Sequence, residues 1–453
     1  MIKDPRHIAL NVLLFWHNKA SNTLDNALTS YSLEISSITP KDKKLCNALI
    51  FGVLRQRESI DSVINEFSNI PLEKISINLL YILRIALFQI MYMDRVPVFA
   101  SINTSVDIAK KLVGRKKAGF INAVLRKAST NYSKLSLPDE TKNPSKFISV
   151  KYSLPLWLSR KWIHTFGFDL TDKLCKQINT IPLITIRINT LKTDRPTLFN
   201  KLSLKVKNIQ KTDYVPEGIS FTNPDVPIHE LEEFKQGLFQ VQDEAAQIIT
   251  HFLSPKPGEK ILDACAGFGG KTGHIAQIME NHGVIIAADT GGKKLESLES
   301  DMQKLGIDIV ETKTVNILKS TIKDFKFYFD RVLIDAPCTG LGVLRRNPDT
   351  KWKRTRNDIA RLGAKQKKML NSAASLVKPG GVLVYAVCSC EKEENEDVID
   401  KFLEKRKDFS IDKNFKSDRY EQFIMQDGYL KTYPHITNMD GFFAARLIRK
   451  NSK

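Results

Sequence analysis

Beyond about residue 233 the chain breaks into short apolar runs spaced by helix-length stretches, and this alternation is the tightest constraint on its fold. The runs are Lys260–Cys265, Val284–Asp289, Asp308–Val315, Arg331–Asp335 and Val382–Cys388. Helical segments fit between several of them, which predicts a mostly parallel, doubly wound sheet. In such a sheet a ligand lies in a crevice at the carboxyl ends of the strands. Residues at those ends are therefore the first place to look for chemistry.

The front of the chain follows a different period. Apolar residues recur at helical spacing over Ile8–Ala20, Leu45–Val53, Leu79–Met93, Val106–Leu112 and Ala118–Ala128. Val96-Pro97 breaks the pattern once. The polar stretch 135–146, with Pro138 and Pro144, reads as a linker. A smaller unit follows, with helical segments around Trp157 and over Leu170–Ile178, the alternating strand Leu183–Asn189 and a helix at Pro196–Leu202. The expected domains are therefore an all-α domain over 1–140, a small α/β subdomain over 141–232 and a Rossmann-like α/β domain over 233–453.

The charge balance is 69 basic against 50 acidic residues, a net +19. Such an excess favours polyanionic partners, nucleic acid first, although a lysine-rich composition also serves solubility alone. Lys110, Lys111, Arg115, Lys116, Lys117, Arg126 and Lys127 cluster near the end of the helical part. They form either an RNA-facing surface or a solvated helix face. The longest apolar run, Leu79–Met93, is interrupted by Arg84 and Gln89 and falls short of the ~20 residues of a bilayer span. No membrane association and no secretory signal are expected. Six cysteines in 453 residues make no disulfide framework, so reduced thiols and a cytoplasmic setting are expected. No cysteine or histidine group has zinc spacing, and no metal is expected.

Ile261 to Thr272 reads as a strand, a glycine-rich turn and a helix. Glycines let such a turn lie close against a nucleotide-like group. Asp289, about 20 residues on, ends the next strand, where an acid can hold ribose hydroxyls. The ending Gly270-Lys271-Thr272 resembles a phosphate-binding loop, but that motif needs a glycine where Cys265 stands. An adenosine-binding loop without a pyrophosphate fits better, and S-adenosylmethionine is the expected cofactor.

Two further strand ends carry thiols. Asp335-Ala336-Pro337-Cys338 closes one, and Cys388-Ser389-Cys390 closes another. A lone cysteine there would be read as a buried apolar residue. Two, behind a cofactor loop, point to covalent catalysis on a pyrimidine. Carbon 5 of cytosine is a poor nucleophile until a thiolate adds at carbon 6, after which it can take a methyl group. Asp335 stands where an acid could hold the N3 edge of the ring. Between Cys388 and Cys390 as nucleophile the residues alone leave the choice open.

These motifs resemble those of the Sun family of RNA cytosine-5 methyltransferases, over essentially the whole chain. Val96-Pro97 and Phe120–Arg126 look like the NusB RNA-binding fold, and Arg187–Lys192 looks like the family's small RNA-binding subdomain. Gly237–Ala246, the run from Asp335 through Cys338 to Asp349, Lys351 and Trp352, then Cys388-Ser389 with Glu393–Glu396, and finally Asp440–Phe443 match its catalytic domain. The resemblance implies that Cys388 attacks carbon 6 and that Cys338 helps release the product. It implies a cofactor pocket lined by Cys265, Ala266, Gly267, Phe268, Gly269, Gly270, Lys271, Asp289 and Asp335. Asn316 stands where the family usually has an acid, and Gly267-Phe268 where it usually has alanine-proline. The implied substrate is 16S ribosomal RNA, acted on by a monomer. The same chemistry on transfer RNA and a non-catalytic RNA-binding factor are the other readings.

Overall fold

The computed structural model describes residues 4–451, in two compact units. One comprises the chain up to Asn179 together with Asn347–Arg354; the other comprises Thr180–Arg346 and the chain from Thr355 on.

The first unit is helical. At its centre lies Ile77–Tyr92, in which every residue from Leu79 to Gln89 is buried. Helices Pro5–Asn18, Pro40–Arg55, Arg57–Phe67, Val98–Val113 and Arg115–Asn131 pack against it. The all-round apolar character of the central helix is thus explained by burial in a bundle. Its one arginine, Arg84, is buried against Asp61 through two hydrogen bonds of 2.7 Å. No helix among the described residues is long and apolar enough to cross a membrane. Proline opens Pro5–Asn18 and Pro40–Arg55, behind side-chain caps from Asp4 and Thr39. The stretch expected as a linker gives way to a helix at Pro144–Lys151, capped by Asn143. The seven basic residues around the last two long helices are all exposed.

The segment Asn347–Arg354 packs into this helical unit through backbone acceptors. Trp352 Nε1 donates to the Leu54 carbonyl at 2.6 Å, and Lys351 Nζ to that of Arg55 at 2.9 Å. Lys353 Nζ reaches the carbonyls of Trp16 and Lys19 at 2.6 and 2.7 Å.

The second unit holds two sheets. Strands β1 (Ile184–Ile188), β2 (Lys207–Lys211), β3 (Gly218–Thr222) and β4 (Phe239–Val241) form an antiparallel sheet in the order β2-β3-β1-β4. Of these, alternation in the sequence revealed only β1. Strand β2 is an exposed polar edge and β4 has three residues, so neither shows a period.

The larger sheet runs β10-β12-β9-β8-β5-β6-β7, with β11 on β12. Its strands are β5 (Lys260–Asp263), β6 (Val284–Asp289), β7 (Val310–Thr314), β8 (Phe329–Asp335), β9 (Val377–Val387), β10 (Phe409–Ile411), β11 (Tyr429–Thr432) and β12 (Phe442–Arg449). The five from β7 to β9 are parallel, as expected, and β12 adds antiparallel to β9. Strand β5 is flanked by β6 on one side and β8 on the other, so the order reverses there and opens the crevice.

Two residues of the Arg187-Ile188-Asn189 motif turn inward. Arg187 is wholly buried and donates to side-chain oxygens of Gln277, Gln242 and Gln240 and to the Gly270 carbonyl. Asn189 donates to the carbonyls of Gly237 and Leu305 and accepts from Gln277. These side chains peg the small sheet to the helix Gly270–Ile278 behind the glycine turn.

Candidate active site

Strand β5 ends at Asp263, two residues earlier than the sequence suggested, so Cys265 lies in the turn. The turn is held by Ala264 N donating to the Leu333 carbonyl at 2.8 Å and Ala266 N to that of Ala288 at 3.0 Å. Gly269 has φ +83°, and a Cβ there would stand 2.6 Å from Leu298 Cγ. Both backbone and space therefore demand glycine. Gly269→Ala is expected to cost about 1–3 kcal/mol of stability and to weaken cofactor binding, measurable by thermal denaturation and calorimetry.

Asp289 closes β6 and faces the turn. Its Oδ2 accepts from Gly267 N at 3.1 Å and its Oδ1 from Gly291 N at 2.9 Å. Each oxygen keeps a lone pair for a ligand hydroxyl. Nothing lies within 4 Å of the Cβ positions of Gly267 and Gly270, so the turn leaves an open cradle beside Asp289. A ribose-bearing ligand fits this donor set. Cys265 lines the cradle half-buried, its thiol pushed up by burial. Phe268 is exposed at the tip, and Ala266 is buried behind it. Asn316 lies exposed past β7, its Oδ1 capping the short turn Ile317–Lys319 by accepting from Leu318 N at 3.1 Å. One residue the sequence reading missed is Asp263. It is buried, accepts from Thr272 Oγ1 at 2.7 Å, and is pushed up to about 6 by burial.

Asp335 ends β8, opposite Ala386 of β9; Cys388 directly follows β9, and Cys338 stands three residues past the end of β8. Cys338 Sγ and Cys388 Sγ stand 3.3 Å apart, both half-buried. The hydrogen bond to Cys388, reinforced by burial, holds the Cys338 proton on. Across this contact either thiol can donate to the other sulfur. Cys390 is buried instead, with its sulfur 3.0 Å from where a Cβ on Gly441 would stand. Burial raises its thiol further out of reach of ionisation.

Lys271, one residue into the helix Gly270–Ile278, reaches across to Asp335 with Nζ–Oδ2 at 2.5 Å. Burial works to lower its pKa, but the Asp335 charge outweighs it and the ammonium is held. The pair lies beside the thiols, over the Phe442 ring at 5.3 Å from Nζ.

A buried carboxylate missed in the sequence ties the two cysteine loops together. Glu394 accepts from Thr339 N at 2.9 Å and from Thr339 Oγ1, next to Cys338. It also accepts from Ser389 Oγ at 2.6 Å, next to Cys388, and from Gln366 Nε2 at 3.1 Å. The run Glu393–Glu396 had marked the place, but only its partners show the purpose. Behind the loops, Arg346 pairs with Asp243 at 2.6 Å and Asp440 at 2.8 Å. Residues Lys351 and Trp352 of the same sequence run belong to the helical unit and not to this site.

Comparison with known proteins bears on the family and the fold. The family model for the 16S rRNA methyltransferase RsmB/F matches residues 250–448. A relative described as Probable ribosomal RNA small subunit methyltransferase B, from Bacillus subtilis (strain 168), is 31% identical over 447 residues, spanning 98% of both chains. The chain belongs to the RsmB/F methyltransferase family. The ribosomal RNA small subunit methyltransferase B of Salmonella paratyphi B (strain ATCC BAA-1250 / SPB7) is 31% identical over 91% of this chain and 92% of its own. The NusB family model matches residues 3–130, and a ferredoxin-like domain model of RsmF/B-like methyltransferases matches 154–229. Among solved structures, that of PH0851 superposes with a TM-score of 0.83 at 26% identity, covering 99% of both chains. A methyltransferase homolog protein from Pyrococcus horikoshii gives a TM-score of 0.57 at 28% identity, covering 67% of this chain and 97% of its own. The expected fold, a NusB-like helical domain, a small α/β subdomain and a Rossmann-like methyltransferase domain, is therefore the observed one, and the comparison adds that the subdomain is ferredoxin-like.

Proposed function

We propose that this chain methylates carbon 5 of a cytosine in 16S ribosomal RNA, with S-adenosylmethionine as donor and Cys388 as nucleophile. The observation that carries this reading is the pair of thiols 3.3 Å apart at adjacent strand ends, beside the Lys271–Asp335 pair and the glycine cradle. The RNA class comes from the relatives, which are ribosomal RNA methyltransferases by description.

The cradle from Cys265 to Lys271, with Asp289 on the ribose and Asn316 toward the adenine, would hold the donor. Bound there, S-adenosylmethionine supplies an electrophilic methyl on a sulfonium. Cys388 forms a bond to carbon 6 of the ring, and the electron pair displaced from the 5,6 double bond makes carbon 5 nucleophilic. Asp335 accepts from the amino group on the N3 edge, and Lys271 beside it offsets the negative charge that grows on the ring. Once carbon 5 carries the methyl, its proton leaves to a base and the electron pair restores the double bond. The Cys388–carbon 6 bond then breaks, and the sulfur departs as a thiolate. Cys338 stabilises that sulfur through its S–H hydrogen bond, which gives it a part in release. Cys390, buried and held as a thiol, fits the nucleophile's task less well.

The target base must leave any stack to reach this crevice. Residues 1–140 and 141–232 are assigned the work of gripping RNA, with the exposed cluster Lys110, Lys111, Arg115, Lys116, Lys117, Arg126 and Lys127 on its phosphates, and 233–453 the chemistry. A cytoplasmic monomer suits such a task.

The test is transfer of labelled methyl to unmodified 16S RNA, with the modified base identified by mass spectrometry. The wild type is expected to make 5-methylcytosine and Cys388→Ala none. A product from both proteins would move the nucleophile elsewhere, and a product only on transfer RNA would change the substrate.

A further inference from the structure

Three side chains in the second unit lie together where the reaction does not use them. Glu217 immediately precedes β3, His251 lies on the helix Glu244–Leu253, and His274 lies on the helix Gly270–Ile278. One ligand atom from each falls within 4.8 Å of the other two. His251 Nε2 is 3.1 Å from Glu217 Oε2, and the two imidazoles meet edge to face with centroids 5.1 Å apart. His274 is wholly buried, and neither of its ring nitrogens has a hydrogen-bond partner. A neutral imidazole brings one donor and one acceptor, and burying either unmet costs about 1–3 kcal/mol. Something must repay that cost for the histidine to sit there.

We propose that Glu217, His251 and His274 bind one zinc-class divalent cation, which staples the ferredoxin-like sheet to the helices beneath the cofactor turn. Two imidazoles and one carboxylate make a nitrogen-rich set suited to zinc, whereas magnesium and calcium prefer all-oxygen shells. A tetrahedral site with bonds of about 2.0–2.1 Å puts donors roughly 3.3 Å apart; His251 and Glu217 already stand at 3.1 Å, and the remaining separations, none above 4.8 Å, must close by at most about 1.5 Å. His251 and Glu217 are 23% and 14% exposed, which gives the ion a way in and water a place as fourth ligand. The Arg187 guanidinium opposes a nearby dication. Its N–H groups are, however, already turned to the oxygens of Gln277, Gln242, Gln240 and Gly270, and the Glu217 carboxylate supplies the compensating charge. Sequence spacing could not reveal this group, because its members come from three elements spread over residues 217–274.

The proposal stands apart from the methyl-transfer reading and is tested without it. The tag-free full-length protein would be stripped with a chelator under reducing conditions, then titrated with Zn²⁺ and, separately, with Co²⁺. One equivalent should bind to wild type and to the Cys338→Ser/Cys388→Ser variant, with a rise in melting temperature. His251→Ala and His274→Ala should lose that equivalent, their folding checked by circular dichroism. Should a histidine variant not fold, the Co²⁺ spectrum of the wild type decides alone: ligand-field bands without a thiolate charge-transfer band are expected. Absence of stoichiometric metal, a thiolate band, or an equivalent that survives the histidine changes and vanishes with the cysteines would overturn the proposal.

Discussion

In Cys338→Ala protein, RNA is expected to accumulate as a covalent adduct on Cys388, while Cys388→Ala is expected to lose methyl transfer by roughly four orders of magnitude or more. The contrast follows from the close contact between them. The Cys338 sulfur stands 3.3 Å from that of Cys388, close enough to donate its proton to the departing thiolate. Attack needs an electron-rich Cys388, and removal of that sulfur removes the bond-forming atom. Release needs the same sulfur to leave with its electron pair, and without a neighbouring donor the departing thiolate is less stable. Alanine at 338 should therefore slow the last step more than the first. The check is a denaturing gel with labelled RNA: a shifted band with Cys338→Ala that is lost in the double variant with Cys388→Ala. Turnover lost without any band would remove Cys338 from release.

Glu394→Ala is expected to destabilise the protein by about 3–5 kcal/mol and to cost most of its activity. The carboxylate is wholly buried and receives hydrogen bonds from Thr339, Ser389 and Gln366. Removal leaves several buried donors without an acceptor, a heavier penalty than the loss of one contact. It also frees the two loops that set the spacing between the thiols. Glu394→Gln should fold better but turn an N–H group toward hydroxyls and an amide already donating. Urea denaturation of both variants, alongside cofactor binding, separates the effects: binding at the glycine cradle should survive in Glu394→Gln while transfer falls. Unchanged transfer in that variant would show that the thiol spacing is set by other contacts.

The parts of the site that were legible in the sequence are those made by neighbours in the chain. A strand, a glycine turn and a helix are contiguous, so Gly269 and Asp289 announce themselves by spacing alone. Cys338 and Cys388 did so because each lies within three residues of the end of an apolar strand. Glu394 was readable only as part of a resemblance, since its meaning lies in Thr339, 55 residues away in the chain. The inward turn of Arg187 and Asn189 was hidden for a related reason. An arginine in a strand reads as solvent-facing until acceptors from Gln240, Gln242 and Gln277 are brought to it. The small sheet was half visible because its edge strand β2 buries almost nothing, and burial is what writes alternation into a sequence.

The segment Asn347–Arg354 has a consequence for how the protein is made. The helical unit draws on residues up to Asn179 and then on eight more that are encoded far downstream. During synthesis its early helices emerge first, but the pocket around Leu54, Arg55 and Trp16 must wait for Lys351, Trp352 and Lys353. At roughly 5–20 residues per second that wait lasts on the order of 10–35 s. A nascent chain stalled before residue 347 should thus hold a helical half that resists protease less well than the same half in the finished protein. Cutting the gene after residue 179 would likewise yield an unfinished bundle and not a free-standing module.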